Sequence, residues 1–240
     1  MRKVTISTFQ VSKETIESSF KKFKGDQKIS VCVPCRNEES SIGGIISSLK
    51  KELLANEYID EIIVIDDSST DSTSTIARKA GAKVIPIEEI NSIYGQGRGK
   101  GNALWASLIV SEGDIVVWVD GDLRNFQPIW VQQLAFPLLK NDSIHLVKAD
   151  YKRSEESGGG GRNTELVAKP LLSMHFPALS KIKQPLAGEY AVRRSAISEI
   201  NLMQGWGVEI GMLIDFERHF GTQSIAQSDL GKREHRHRSL

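Results

Sequence analysis

Short apolar runs alternate with longer segments whose apolar residues recur every three or four positions. "ISVCVP" (29–34) is almost continuously apolar, the pattern of a parallel strand covered on both faces. "SSIGGIISSLKKELL" (40–54) changes to helical spacing, and "DEIIVIDD" (60–67) predicts a second strand. A helix follows in "TDSTSTIARKAGA" (70–82), opened by Ser, Thr and Asp and stopped by glycine, before the third short strand "KVIPI" (83–87). Beyond a glycine-rich loop, "GNALWASLIVSEG" (101–113) predicts a helix, "DIVVWVD" (114–120) a strand, "QPIWVQQLAFPLLK" (127–140) a helix and "IHLVKADY" (144–151) a further strand. Repeated strand–helix alternation predicts an α/β fold with a largely parallel, doubly wound sheet flanked by helices, in a single domain. "SEESGGGGRNT" (154–164) reads as a mobile polar linker or lid, because four successive glycines hold no regular element. In "GVEIGMLIDFERHFG" (207–221), Val208, Met212 and Phe216 share one helix face.

Composition sharpens this picture. With 240 residues, 40% hydrophobic and 25% charged, the chain can bury a substantial core. Its 31 basic and 30 acidic residues leave a formal net charge of +1. No overall field draws it onto nucleic acid or an anionic membrane, so any anion site is local. The apolar runs are too short to span a bilayer and residues 1–20 lack the apolar core of a signal peptide, which makes a cytoplasmic protein the default expectation.

Three stretches invite chemistry. "GQGRGKG" (95–101) alternates glycine with Arg98 and Lys100, as in backbone folded around phosphate. It is neither a P-loop, since Lys100 is followed by Gly101 instead of Ser or Thr, nor a dinucleotide fingerprint, which would sit between the first strand and its helix. "CVPC" (32–35) has the spacing of a redox or zinc half-site, but no second pair completes a zinc site. Cys32 lies inside an apolar run, so buried or strand-end thiols are expected. "DGD" places Asp120 and Asp122 at the end of an apolar strand. Two carboxylates so close either share a hard divalent cation such as Mg²⁺ or Mn²⁺ or form an Asx-type turn. The carboxyl ends of strands, where open α/β sheets bind ligands, carry two more polar clusters, "VPCRNEE" (33–39) and "IDDSSTD" (65–71).

Those three clusters, in that order over residues 28–125, resemble the nucleotide-sugar glycosyltransferases of the GT-A fold. Further blocks, "GKGNALW", "GRNTELVAKPLL", "QPLAGEYAVRR", "GWGVEIGMLID" and "IAQSDLGKREHRHRSL", are similar to the glucosyl-3-phosphoglycerate synthases, a retaining family with mannosyl-3-phosphoglycerate synthases as neighbours. The resemblance implies an N-terminal helical segment (1–27) and a GT-A catalytic domain (28–240), with a nucleotide-sugar half (28–125) and an acceptor half (126–240) ending in a metal-binding tail. It implies metal-dependent transfer of glucose from UDP- or GDP-glucose to the 2-hydroxyl of 3-phosphoglycerate, with Mg²⁺ or Mn²⁺ as cofactor, no nucleic-acid or membrane partner, and a possible homodimer. Mannosyl transfer from GDP-mannose is the neighbouring alternative.

Carried over by position, Pro34, Cys35, Arg36 and Glu38 fall on the family's nucleoside-binding turn and Asp67 on its base-contacting position. Lys100 would contact the nucleotide sugar, with Asp120 and Gly121 near ribose and diphosphate. Asp67 replaces a frequent serine, which leaves uracil and guanine both open. Asp122 and His235 would hold the metal, and Arg233 and Arg236 would face phosphate oxygens. Gly161, Arg162, Asn163 and Thr164, with Trp206 and His237, fall on the acceptor site. Asn163 stands where the family more often has an aliphatic residue, His237 where it often has asparagine; from the residues alone, Thr164 is equally a helix cap beside a surface arginine. Glu209 matches a carboxylate near the transferred sugar, a catalytic group or merely an arginine's partner.

Two rivals remain. A phosphate- or nucleic-acid-binding module would use the basic stretch "GKREHRHRSL" without turnover, although that stretch lacks an aromatic for base stacking. A nucleotidyltransferase would carry a glycine- and arginine-rich loop after the first strand, where "VPCRNEESS" has none. One-step and two-step retaining routes are not separated.

Overall fold

The computed structural model describes residues 6–153 and 161–233. Eight strands form one sheet: β1 (Ser7–Phe9), β2 (Ile29–Cys35), β3 (Glu61–Asp66), β4 (Lys83–Pro86), β5 (Ile115–Trp118), β6 (Leu146–Arg153), β7 (Tyr190–Arg193) and β8 (Ile225–Arg233). Their spatial order is β1-β8-β6-β7-β5-β2-β3-β4. All pairings are parallel except those of β7, which runs antiparallel to both neighbours and joins the two halves of the sheet. The expected parallel core is therefore present, interrupted by one strand that the alternation pattern did not predict.

Side-chain alternation along each strand divides the core into two layers. Residues Val31, Val33 and Cys35 of β2 join the layer under α1 (Lys13–Lys24), α2 (Ile42–Leu49), α3 (Thr73–Ala80) and α6 (Ile129–Lys140). Cys32, on the same strand, joins the layer under α4 (Ile87–Tyr94), α5 (Gly99–Val110), α7 (Lys169–His175), α8 (Arg194–Ile197) and α9 (Val208–Phe220). The two thiols are buried on opposite sides of the sheet. Burial pushes the Cys32 thiol up to about 12 and Cys35 higher still, so neither is a reactive thiolate. Val208, Met212 and Phe216 do share the buried face of α9. Each such fully buried side chain contributes about 1.5–3 kcal/mol of transfer free energy.

Several boundaries differ from expectation. The segment 1–27 contributes strand as well as helix: Ser7, Thr8 and Phe9 pair with Ala226, Gln227 and Ser228, extending the sheet beside β8. Residues 225–233 form a nine-residue strand between β1 and β6, so the start of the supposed tail is interior. Its alternation is hidden because the buried positions include Gln227, Ser228 and Arg233. The helix α4 precedes the glycine-rich run, and α5 begins inside it at Gly99. Arg162–Thr164 open a helical stretch instead of ending a linker. No helix among the described residues is long and apolar enough to cross a membrane.

Candidate active site

Parallel β2, β3 and β5 deliver their polar clusters to one rim of the sheet. The loops after β2 and β3 are tied together by polar contacts: the Asp67 N–H donates to Cys35 O at 2.9 Å, the Asn37 N–H to Ser69 Oγ at 2.9 Å, and the Glu38 N–H to Thr73 Oγ1 at 2.8 Å. Asn37 and Ser68 take positive φ, 58° and 59°, which lets both loops turn sharply beside each other. Pro34 and Cys35 end β2, with the Cys35 thiol in the core. Arg36 Nη1 stands 4.0 Å from Asp67 Oδ2. Burial raises the Asp67 carboxyl above its ordinary value, with the Arg36 charge opposing. Ser41 Oγ donates to Gly121 O at 2.7 Å, fastening the loop after β5 to the start of α2.

The centre of the site is a chain of alternating charges. Lys100 Nζ, in the first turn of α5, lies 2.7 Å from Asp120 Oδ1 and 2.9 Å from Glu209 Oε1, at the start of α9. Arg233 Nη2 meets Asp120 Oδ2 at 2.7 Å, and its Nε meets Glu189 Oε1 at 2.8 Å. Glu189, one residue before β7, is 1% exposed. Burial alone would discharge these groups, but Lys100 and Arg233 together hold the Asp120 carboxyl down to about 2. Burial likewise opposes the charge on Lys100, and Asp120 and Glu209 outweigh it, raising that ammonium well above its ordinary value. Gly188 makes the approach possible, since a β-carbon there would fall on the Asp120 carboxylate.

Asp122 behaves differently from its neighbour. Burial and the Asp120 charge push its carboxyl up to about 6, and its Oδ1 is buried without a hydrogen-bond partner. It lines a cavity of about 510 Å³ with Ser40, Ser41, Ile45 and Arg124. A buried carboxylate oxygen that accepts no hydrogen bond has a lone pair free for a cation, and a hard divalent ion suits it. Among the described residues no group of three or more His, Cys, Asp or Glu converges on one point. His235, the second expected metal ligand, lies outside the described residues, as do His237 and Arg236.

Two glycines of "GQGRGKG", Gly99 and Gly101, admit this chain's own backbone. A β-carbon at Gly101 would collide with Met203 O, and one at Gly99, where φ is +67°, would stand 3.0 Å from Gly205 Cα. The Gly205 N–H donates to Arg98 O at 3.0 Å. The close packing sets Lys100 facing Asp120 and Glu209. Trp206, in the loop held by this contact, is 79% exposed. Of the acceptor group, Arg162 and Asn163 are exposed, whereas Thr164 is 2% exposed and third in its helical stretch, so it is not a cap. The Gly161 carbonyl accepts from the Glu165 N–H at 2.9 Å. The motifs singled out neither Glu189 nor Lys148, both buried beside this chain of charges; "QPLAGEYAVRR" contains the first, but nothing local marks it as charged and interior.

Known proteins share this chain's sequence pattern and fold. The profile of glycosyl transferase family 2 matches residues 30–200. The glucosyl-3-phosphoglycerate synthase of Mycolicibacterium paratuberculosis is 46% identical over 226 residues, 90% of this chain and 68% of that protein. That of Petrotoga mobilis is 45% identical over 241 residues, covering 98% of this chain and 73% of the relative. The crystal structure of glucosyl-3-phosphoglycerate synthase from Mycobacterium tuberculosis in complex with Mn²⁺, UDP-glucose and phosphoglyceric acid superposes with a TM-score of 0.90 at 42% identity, over 99% of this chain and 82% of that one. Matches of this extent, on a sheet whose rim carries the expected carboxylates, show that the chain belongs to glycosyl transferase family 2, in its glucosyl-3-phosphoglycerate synthase family.

Proposed function

We propose that this protein transfers glucose from UDP-glucose to the 2-hydroxyl of 3-phosphoglycerate, forming glucosyl-3-phosphoglycerate and releasing UDP. The observation that carries the proposal is the Lys100 ammonium fixed between Asp120 and Glu209. An ammonium has three N–H donors. Two are directed to carboxylates, and the third suits a diphosphate oxygen at the rim. Glucosyl-3-phosphoglycerate synthase of M. tuberculosis has been crystallised with Mg²⁺ and UDP, and with Mn²⁺, UDP and glucosyl-3-phosphoglycerate.

Each residue then has a role in the transfer. The paired loops after β2 and β3, with Pro34, Arg36, Glu38 and Asp67, form the nucleoside cradle. Asp120 fixes Lys100 and Arg233, whose charges stabilise the negative charge growing on the leaving diphosphate; because both are already oriented, no reorganisation is needed as that charge develops. Asp122, with His235 outside the described residues, would hold Mg²⁺ or Mn²⁺, which supplies further charge neutralisation when bound. Glu209, held by Lys100, would orient the sugar's hydroxyls and offset positive charge on the ring as the glycosidic bond breaks. Retention of configuration follows if the acceptor hydroxyl attacks from the face the diphosphate leaves, passing its proton to the departing oxygen. Arg162 and the helical start at Gly161–Thr164 would take the acceptor's phosphate, with the exposed Trp206 lining the acceptor pocket; His237, also expected to bind the acceptor, lies outside the described residues.

The test is incubation with UDP-glucose, GDP-glucose and GDP-mannose, each with and without 3-phosphoglycerate and Mg²⁺. Nucleoside diphosphate release from UDP-glucose that requires both acceptor and metal is the expected result. Release equal in the absence of 3-phosphoglycerate would sink the acceptor assignment.

A further inference from the structure

Lys148 lies on β6, opposite Tyr190 of β7 and Gln227 of β8, and is 1% exposed. Its ammonium donates to Ala187 O at 2.6 Å and stands 4.2 Å from the centre of the Tyr190 ring. A lysine in such a place is costly: the charge has left water, and the ring face and one carbonyl replace only part of its hydration. A methionine of similar length would fill the same space without that cost. The segment Lys148 grips is the turn into β7, Ala187–Gly188–Glu189. Gly188 is the residue whose missing β-carbon leaves room for Asp120, and Glu189 is the partner of Arg233. The Glu189 carbonyl also accepts from the Ala149 N–H at 3.0 Å, so β6 holds this turn at two points next to each other.

We infer that Lys148 is a positioning residue for sugar transfer, pinning the Ala187 carbonyl so that the 187–189 backbone keeps Asp120 and Arg233 in register with Lys100. The inference rests on the glucosyl-transfer function proposed above. The charges acting on Lys148 are Glu209 of α9, Lys100 of α5, Asp120 after β5 and Glu189 just before β7, with the uncharged Tyr190 ring beside the ammonium. On β8 the residue opposite Lys148 is Gln227, a neutral amide engaged by Lys181 O and the Lys183 N–H, and Arg233 at the end of that strand is paired with Glu189 and Asp120. Burial lowers the Lys148 ammonium to about 8, with the Glu209 carboxylate the strongest charge opposing its loss. The grip on Ala187 therefore weakens within an accessible alkaline range, because a neutral amine is a poorer donor to a carbonyl.

The experiment compares wild type and Lys148→Met for UDP release with saturating UDP-glucose, 3-phosphoglycerate and Mg²⁺ between pH 6.5 and about 9.5, a range chosen to bracket the lysine's titration. Wild-type kcat is expected to fall as pH rises through about 8. Lys148→Met should fold, show kcat reduced about 100-fold with little change in KM for either substrate, and lack the alkaline fall. A variant with wild-type kcat overturns the inference. So does one that loses thermal stability but keeps the alkaline fall, which is the signature of a merely structural lysine. If Lys148→Met does not fold, the wild-type profile decides: a flat kcat through pH 8 and beyond overturns the proposal. Absence of acceptor-dependent UDP release from the wild type at any pH instead overturns the function itself, and the two failures are thereby told apart.

Discussion

Arg233 and Asp120 are 113 residues apart in the chain, and their side chains meet at 2.7 Å beneath the rim of the sheet. The contact joins β8, on one side of the sheet, to the loop after β5 on the other side of β6 and β7. Because Arg233 also holds the buried Glu189, this one guanidinium neutralises two carboxylates from separate elements.

Removing it should therefore cost more than an ordinary ion pair. Arg233→Met leaves Glu189, 1% exposed, without its counter-charge and Asp120 with Lys100 alone, and a buried charge stripped of its partner costs about 3–5 kcal/mol. Urea unfolding of the variant should show a loss of that size. A change under about 1 kcal/mol, the range of exposed ion pairs, would show that the guanidinium is not load-sharing between the two acids.

Gly188→Ala places a β-carbon on the Asp120 carboxylate, which cannot swing aside because Lys100 and Arg233 hold its two oxygens. The clash is expected to destabilise the fold by about 1–3 kcal/mol and to lower kcat through displacement of Lys100. Calorimetry and steady-state UDP release read the two effects separately. Unchanged kcat in the variant would mean that Asp120 placement does not govern turnover.

Asp122 gives a pH dependence with a definite sign. Its carboxyl is raised to about 6 in the metal-free fold by burial and by Asp120. A bound proton must leave before a cation binds, so Mg²⁺-dependent UDP affinity should rise with pH through about 6 and be weak below it. For folding the linkage runs the other way. A group whose folded pKa is raised contributes stability below its unfolded value near 3.9, and that stability is lost as pH rises through the folded value. Asp122→Asn should abolish metal-dependent UDP binding in titration calorimetry, while the metal-free variant at neutral pH is at least as stable as wild type.

Cys32 and Cys35 should behave as inert thiols. They face opposite layers of the core and cannot bridge without dismantling β2. Activity is expected to be the same with and without reductant, and a thiol reagent should label both only on addition of denaturant. Rapid labelling of the native protein would contradict their burial.

The amino-acid order by itself determined the local features. Continuous apolar runs identified β2, β3 and β5, because a strand covered on both faces needs no alternation. Polar clusters directly after those runs identified the rim where chemistry would gather, and the three motifs pointed to the family. Pairings between distant charges were decided only by the tertiary structure. The segment Ile225–Arg233 reads as a polar tail because its inward positions carry Gln227, Ser228 and Arg233, whose burial is tolerable only where Lys183, Gln133 and Glu189 meet them. Lys148 and Glu189 were invisible for the same reason: an isolated lysine or glutamate in a sequence is expected in water, and only folded neighbours supply the counter-charges that let it stay inside. Hydrophobic periodicity is a property of adjacent residues, whereas the stability of a buried charge depends on residues a hundred positions away.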